Sequence, residues 1–186
     1  MTAELVAHHE LTDVNGVRVR VPDPESFVHL QFRRFAGCPV CHLHLRTFVA
    51  RHAEISAAGV REVVVFHSPA DVLREQAGDL PFAVIPDPEK LLYREFGVES
   101  ARRALLDPRA WSAIVRGILA ALPSVLRGQR PAPRATGGSL GLPGDFLISP
   151  DGRILAAKRG RHADDQWSVD EMLSSLPVRQ DPLGRG

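Results

Sequence analysis

The only two cysteines of the chain stand together in Cys38-Pro39-Val40-Cys41. Two thiols at that spacing can run a dithiol–disulfide cycle, one attacking as thiolate and the other resolving. An unperturbed thiol is mostly protonated at neutral pH, so the surroundings must favour the anion at one sulfur. If Cys38 caps a helix, the free N–H groups of the first turn and the helix dipole both favour its thiolate. Cys41 then falls one turn inside, on the same face and within disulfide reach. Cys38 is therefore the expected nucleophile toward a disulfide sulfur or a peroxide oxygen. Cys41 is the expected resolver of the mixed disulfide or sulfenic acid. Arg33 and Arg34, just upstream, can add positive potential.

Other chemistries share these residues. Two buried structural cysteines can fall at this spacing. A metal site could draw on Cys38, Cys41, His42 and His44, but zinc needs four well-placed ligands, and residues two apart do not share a helix face. Cys38 to His42 also matches the C-x-x-C-H haem pattern. Haem attachment would need export and a second axial ligand, and the only methionines are Met1 and Met172. His8 and His9 read as surface residues. His67 reads as the polar end of an apolar strand, at the edge of an α/β sheet that often faces a site.

The flanking segments suit a redox helix. A strand is expected over Ser26 to Phe35, apolar at Phe27, Val28, Leu30, Phe32 and Phe35. It leads into a helix whose first turn takes Pro39, whose missing N–H is unused there. That helix carries Leu43, Phe48 and Ile55 and ends at Gly59. Val60 to Phe66 is a continuous apolar run, suited to a central strand. Ser68, Pro69 and Asp71 mark a helix start. A strand at Phe82 to Ile85 and a helix at Pro88 to Phe96 follow. Upstream, Asn15-Gly16 turns into a half-exposed strand over Val17 to Val21 that Pro22 ends.

Residues 100–127 show helical periodicity through Trp111, Ile114, Val115, Ile118, Leu119, Leu122 and Leu126. A Gly/Pro/Arg-rich loop fills 128–144. A hairpin follows, with Phe146 to Ser149 and Arg153 to Lys158 around Asp151-Gly152. Ser168-Val169-Asp170-Glu171 is a capping box opening a last helix to Leu176. Residues 1–13 and 177–186 are expected to be loose, leaving a single domain at 14–176. Strand–helix alternation with a late hairpin predicts an α/β fold, a mixed central sheet flanked by helices.

The 186 residues are 44% hydrophobic and 24% charged, ordinary for a soluble domain. A net charge of +1 argues against a general nucleic-acid binder. Of 23 basic residues only Lys90 and Lys158 are lysine. Met1 to Glu10 has neither the basic nor the apolar region of a signal peptide, and no run approaches the roughly 20 apolar residues of a membrane span. A cytoplasmic protein is expected, where a close cysteine pair is catalytic or metal-binding rather than a staple.

With this order of elements the chain resembles the thioredoxin-fold superfamily, and within it the peroxiredoxin-like branch of the alkyl hydroperoxide reductase and thiol-specific antioxidant family. Four segments carry the resemblance: Phe32 to Cys41, Val63 to Ser68, Phe82 to Lys90 and Gly144 to Arg153. Pro86-Asp87-Pro88 with Tyr93 to Val98 is similar to the peroxiredoxin stretch before its fourth strand. The resemblance implies a thioredoxin-like fold with an extra helical insertion before the hairpin. Phe35 stands where standard peroxiredoxins place a Thr or Ser that helps hold the peroxide. Pro143-Gly144-Asp145-Phe146 stands where they carry an arginine, for which Arg33, Arg34 and Arg134 are the substitutes at hand. Leu142-Pro143 instead resembles the cis-proline segment of thioredoxin-type proteins, which pairs with an extended substrate. Phe35, Pro39, Leu142 and Pro143 are thus the expected site-shaping residues around Cys38 and Cys41.

The resemblance implies a thiol-dependent antioxidant oxidoreductase acting on a small peroxide or disulfide. No bound cofactor or metal is expected. A thioredoxin-type dithiol would serve as external reductant, with no nucleic-acid or membrane partner and a homodimer left open. The rival reading is a non-catalytic redox sensor, in which the same disulfide switches a binding surface built by the helix at 110–127.

Overall fold

The computed structural model describes residues 4–77, 79–98, 115, 142–162 and 164–177. Strand β3, Phe27–Arg33, lies at the centre of a five-stranded sheet in the order β5-β4-β3-β6-β7. It pairs in parallel with β4, Val60–Phe66, which pairs in parallel with β5, Ala83–Pro86. On its other side it pairs antiparallel with β6, Gly144–Ile148, which turns back into β7, Ile154–Arg159. This is the expected mixed sheet, with the dithiol loop leaving the C-terminal end of its central strand.

Alternation along the strands divides the core. Val28, Leu30, Phe32, Val63, Val65, Phe146 and Ile148 bury one face beneath α4, Leu91–Glu95, and beneath Val19 and Val21 of β2, Arg18–Val21. On the opposite face lie α1, Pro39–Ala50, and α3, Ala70–Ala77, which cover Val64, Phe66 and Val84. There too α2, His52–Ala57, and α5, Val169–Ser174, close a cluster of Phe48, Ile55, Val60, Leu147 and Met172.

Several expected elements shift. The helix after the cysteines is two segments, because Arg51 leaves the helical region at φ −112° and ψ 17°. Its guanidinium is held there by Glu54 and by Asp170 at the start of α5. Gly59 ends α2 at φ 79°, a left-handed conformation that glycine takes without steric cost. α4 begins later than expected. The Asp87 carboxylate accepts the Leu91 and Leu92 N–H groups, and Lys90 turns left-handed at φ 57°. The capping box at Ser168 and Glu171 is present as expected.

Of the segment 1–13 that the sequence predicts to be loose, the described residues 4–13 are tied to the domain. Strand β1, His9–Thr12, pairs antiparallel with β2, Arg18–Val21, and Leu5 bridges to Arg153. Their backbone donors and acceptors find partners in the domain, which a polar, aperiodic sequence does not reveal. The helical insertion expected at 100–127 lies outside the described residues apart from Val115. So do most of the loop at 128–144, with Arg134, and the tail beyond Pro177. Among the described residues no helix is long and apolar enough to cross a membrane.

Candidate active site

Cys38 is the N-cap of α1, with an extended backbone at φ −72° and ψ 111°, and its side chain makes no capping hydrogen bond. Pro39 takes the opening of the helix, as its spacing predicts. The loop is pinned on several sides. The Cys38 N–H donates to the Phe35 carbonyl at 3.0 Å, and the His42 N–H donates to the Cys38 carbonyl at 3.1 Å. The His42 ring donates to the Ala36 carbonyl, and the Ala36 N–H donates to the Ser68 hydroxyl at 3.1 Å. Ser68, read in sequence as a helix cap, thus clamps the dithiol loop.

Both cysteines are free thiols, each 1% exposed. Their environments drive them apart. The Cys41 thiol hydrogen-bonds the Cys38 sulfur, and this outweighs burial to bring Cys38 down to about 7. The Arg34 guanidinium adds to the effect, with Nη1 3.8 Å from Sγ, as do the N–H groups of Cys41 and Val40 at the helix start. Burial, then the hydrogen bond and charge of Cys38, push Cys41 well above the ordinary thiol range. One sulfur is held ready as thiolate and the other is held protonated, the polarity that nucleophile and resolver require.

Phe35 packs against the cluster that contains both cysteines, with the Arg34 guanidinium 5.5 Å from its ring centre. Of the arginines that could replace the missing peroxiredoxin arginine, Arg34 reaches Cys38. Arg33 is instead bound to Asp145 at 2.8 Å.

The cis-proline expectation fails at Leu142-Pro143. The cis bond among the described residues is Val21–Pro22. Pro143 does lie at the dithiol end of the sheet, one residue before Gly144, which pairs with Phe32. Its carbonyl, however, accepts the Gly160 N–H at 2.8 Å. A side chain at Gly160 would stand 2.7 Å from the Pro143 ring. That carbonyl is committed to closing the start of the hairpin, where an exchanger would leave it free for substrate.

Two features were missed or underread in the sequence. Beneath α1 lies a fully buried polar network. His29 contacts Glu62 at 2.9 Å and Asp145 at 3.3 Å, and Gln31 bridges Glu62 to Arg33. The Trp167 N–H donates to Asp145 at 3.2 Å. Burial works against the imidazolium, but the two carboxylates raise His29 to about 9. Burial alone would raise Asp145, yet Arg33 and His29 hold it well below the carboxylate range. His44 on α1 packs on Phe48, and burial with Arg33 lowers it to about 3. His42 and His44 thus go to different partners. The alternation of His29, Gln31 and Arg33 with Val28, Leu30 and Phe32 was the available signal.

The second feature is His67, just beyond β4. It is fully buried, and neither ring nitrogen has a hydrogen-bond partner among the described residues.

A family model for the AhpC/TSA antioxidant enzyme matches residues 47–162, a stretch that begins after the dithiol. No curated protein matches the sequence significantly. Among solved structures, peroxidoxin BcpB from Mycobacterium tuberculosis superposes with a TM-score of 0.65 at 18% identity, over 94% of each chain. The bacterioferritin comigratory protein of Xanthomonas campestris gives 0.60 at 16% identity, over 94% of this chain and 95% of its own. A proposed thiol:disulfide interchange protein, DsbE, from Chlorobium tepidum gives 0.58 at 20% identity, over 94% and 97%. The sheet order and these superpositions make the fold thioredoxin-like, and the family match means that the chain belongs to the AhpC/TSA antioxidant enzyme family.

Proposed function

We propose that the protein is a thiol-dependent oxidoreductase that reduces peroxides or disulfides through a Cys38–Cys41 dithiol–disulfide cycle. The observation that carries this reading is the opposite perturbation of the two thiols, Cys38 lowered to about 7 and Cys41 raised, at the start of one helix. The Cys38 thiolate attacks the substrate and is left as a mixed disulfide or a sulfenic acid. Cys41 then displaces the second substrate thiol, or water, and closes the internal disulfide. An external dithiol of thioredoxin type reopens it, and no bound organic cofactor takes part.

The family supports the peroxide side of this reading, and the Xanthomonas protein is described as reducing alkyl peroxides. Arg34 stands where a positive charge can hold a developing oxyanion beside Cys38. The test is turnover of a hydroperoxide and of a small disulfide with a thioredoxin-type reductant. Turnover of either substrate that Cys38→Ser abolishes supports the reading. Absence of turnover with both substrates sinks it.

A further inference from the structure

A nucleophile and its target must come within about 3–3.5 Å before they react. Cys38 is 1% exposed, so no substrate atom reaches its sulfur in this arrangement, and some segment around it has to move. On one side of the sulfur, Val40, Cys41 and Leu45 bury α1 in the core. On the other, the Arg34 carbonyl accepts the His67 N–H at 3.3 Å just beyond β3. Between these fixed points lie Phe35, Ala36 and Gly37, which belong to no helix or strand. The Cys38 N–H donates to the Phe35 carbonyl at 3.0 Å, which closes Phe35 to Cys38 into a turn. Ala36, inside that turn, is 2% exposed and packs in the same apolar cluster as both sulfurs, with Phe35 against it.

The way the turn is held is unusual. Loops run over the surface, where water serves the backbone groups that no ladder pairs. Both backbone groups of Ala36 are instead taken by side chains from two other places. The Ser68 hydroxyl, from the β4–α3 connection, accepts the Ala36 N–H at 3.1 Å. The His42 ring, from the first turn of α1, donates to the Ala36 carbonyl. Neither bond belongs to a helix or a strand ladder, and both act on one residue two places before the nucleophile. We propose that the Phe35–Cys38 turn is a gate over the nucleophile and that His42 and Ser68 are its latch, so that substrate reaches Cys38 only when Ala36 is released.

The latch is separate from the groups that make Cys38 acidic. Those are the Cys41 thiol, Arg34 and the N–H groups of Cys41 and Val40, all outside the segment that moves. Opening therefore bares the sulfur without dismantling its surroundings, and closing keeps the thiolate from chance oxidants between turnovers. His42 and Ser68 touch neither sulfur nor substrate and act through Ala36, as positioning residues. With one latch bond removed, a buried peptide group of the closed turn has no partner, and opening becomes about tenfold more frequent. The two bonds together hold the gate closed by about a hundredfold.

This inference rests on the dithiol reading above, and the test separates the two. Reduced protein is alkylated with iodoacetamide from about pH 5 to about pH 9, and modification of Cys38 is followed by peptide mapping. The midpoint of the profile reports the acidity of Cys38, and the plateau at high pH reports how often the gate opens. The plateau of the natural protein should lie about a hundredfold below that of a small thiol of similar pKa. Ser68→Ala and His42→Phe should each raise it about tenfold with the midpoint unchanged, and either serves if the other does not fold. Ser168→Ala, which weakens the distant cap of α5, should leave the plateau as it is, showing that alkylation does not pass through global unfolding. A natural plateau equal to that of the small thiol overturns the gate. So does a natural plateau kept in both latch variants, or a rise that Ser168→Ala shares. A raised plateau in protein that forms no Cys38–Cys41 disulfide with hydrogen peroxide or a small disulfide keeps the gate and sinks the dithiol cycle.

Discussion

Arg34 and Cys41 act on one sulfur from two sides, and their contributions can be separated. The Cys41 thiol supplies the largest effect on Cys38, burial opposes it, and Arg34 adds a through-space attraction smaller than either. Arg34→Gln should raise the Cys38 pKa by roughly one unit, which at pH 7 cuts the thiolate fraction and the rate of iodoacetamide alkylation about fivefold. Ultraviolet titration of the thiolate checks the shift directly, and an unchanged titration curve would remove Arg34 from the account. At this scale the sequence announced the cysteines and the capping proline, because both act through local spacing. It could not distinguish Arg33 from Arg34. The two are adjacent, and strand alternation sends one toward Asp145 and the other toward Cys38.

At the scale of elements, β3, β4 and β6 are joined beneath α1 by charge as well as by apolar packing. His29, Arg33, Glu62 and Asp145 come from three neighbouring strands, and in their charged forms they sum to zero. Removing one charge strands the others without water. Asp145→Asn leaves His29 and Arg33 short of a counter-ion and should cost about 3–5 kcal/mol in chemical denaturation. At the far end of the chain, Ser168→Ala removes one half of the capping box of α5 and should cost only about 1 kcal/mol in the same measurement. The strand order and most helix starts were legible, since strands follow runs such as Val60 to Phe66 and α5 follows its cap. The N-terminal pairing of β1 and the break at Arg51 were not, because β1 is polar with no clear period although it folds back on β2 across a short turn, and Arg51 at the break binds Asp170, distant in sequence. The network was invisible for the same reason. Its alternation resembles a half-exposed strand until a helix is known to lie on it.

Over the whole molecule, the network makes stability depend on pH. His29 is raised from its ordinary value to about 9 in the folded protein, so folding favours its protonated form. The stabilisation is fully present below the unfolded value near 6.5 and is lost as pH rises through about 9, a difference on the order of 3 kcal/mol. Denaturation midpoints should therefore fall between about pH 7 and about pH 10, and His29→Gln should flatten that part of the profile. A natural protein equally stable across that range would contradict the charged network. The family assignment and the thioredoxin-like sheet concern the molecule as a whole, and four sequence segments in order were enough to suggest them. The chemistry depends on the surroundings of one sulfur, where the expected cis-proline is absent and the Arg34 guanidinium reaches Cys38. The most direct measurement is mass spectrometry of the reduced protein after one equivalent of hydrogen peroxide or of a small disulfide. The account predicts rapid loss of two hydrogens and a Cys38–Cys41 crosslink in the peptide map. A thiol pair that stays reduced toward both oxidants would contradict it.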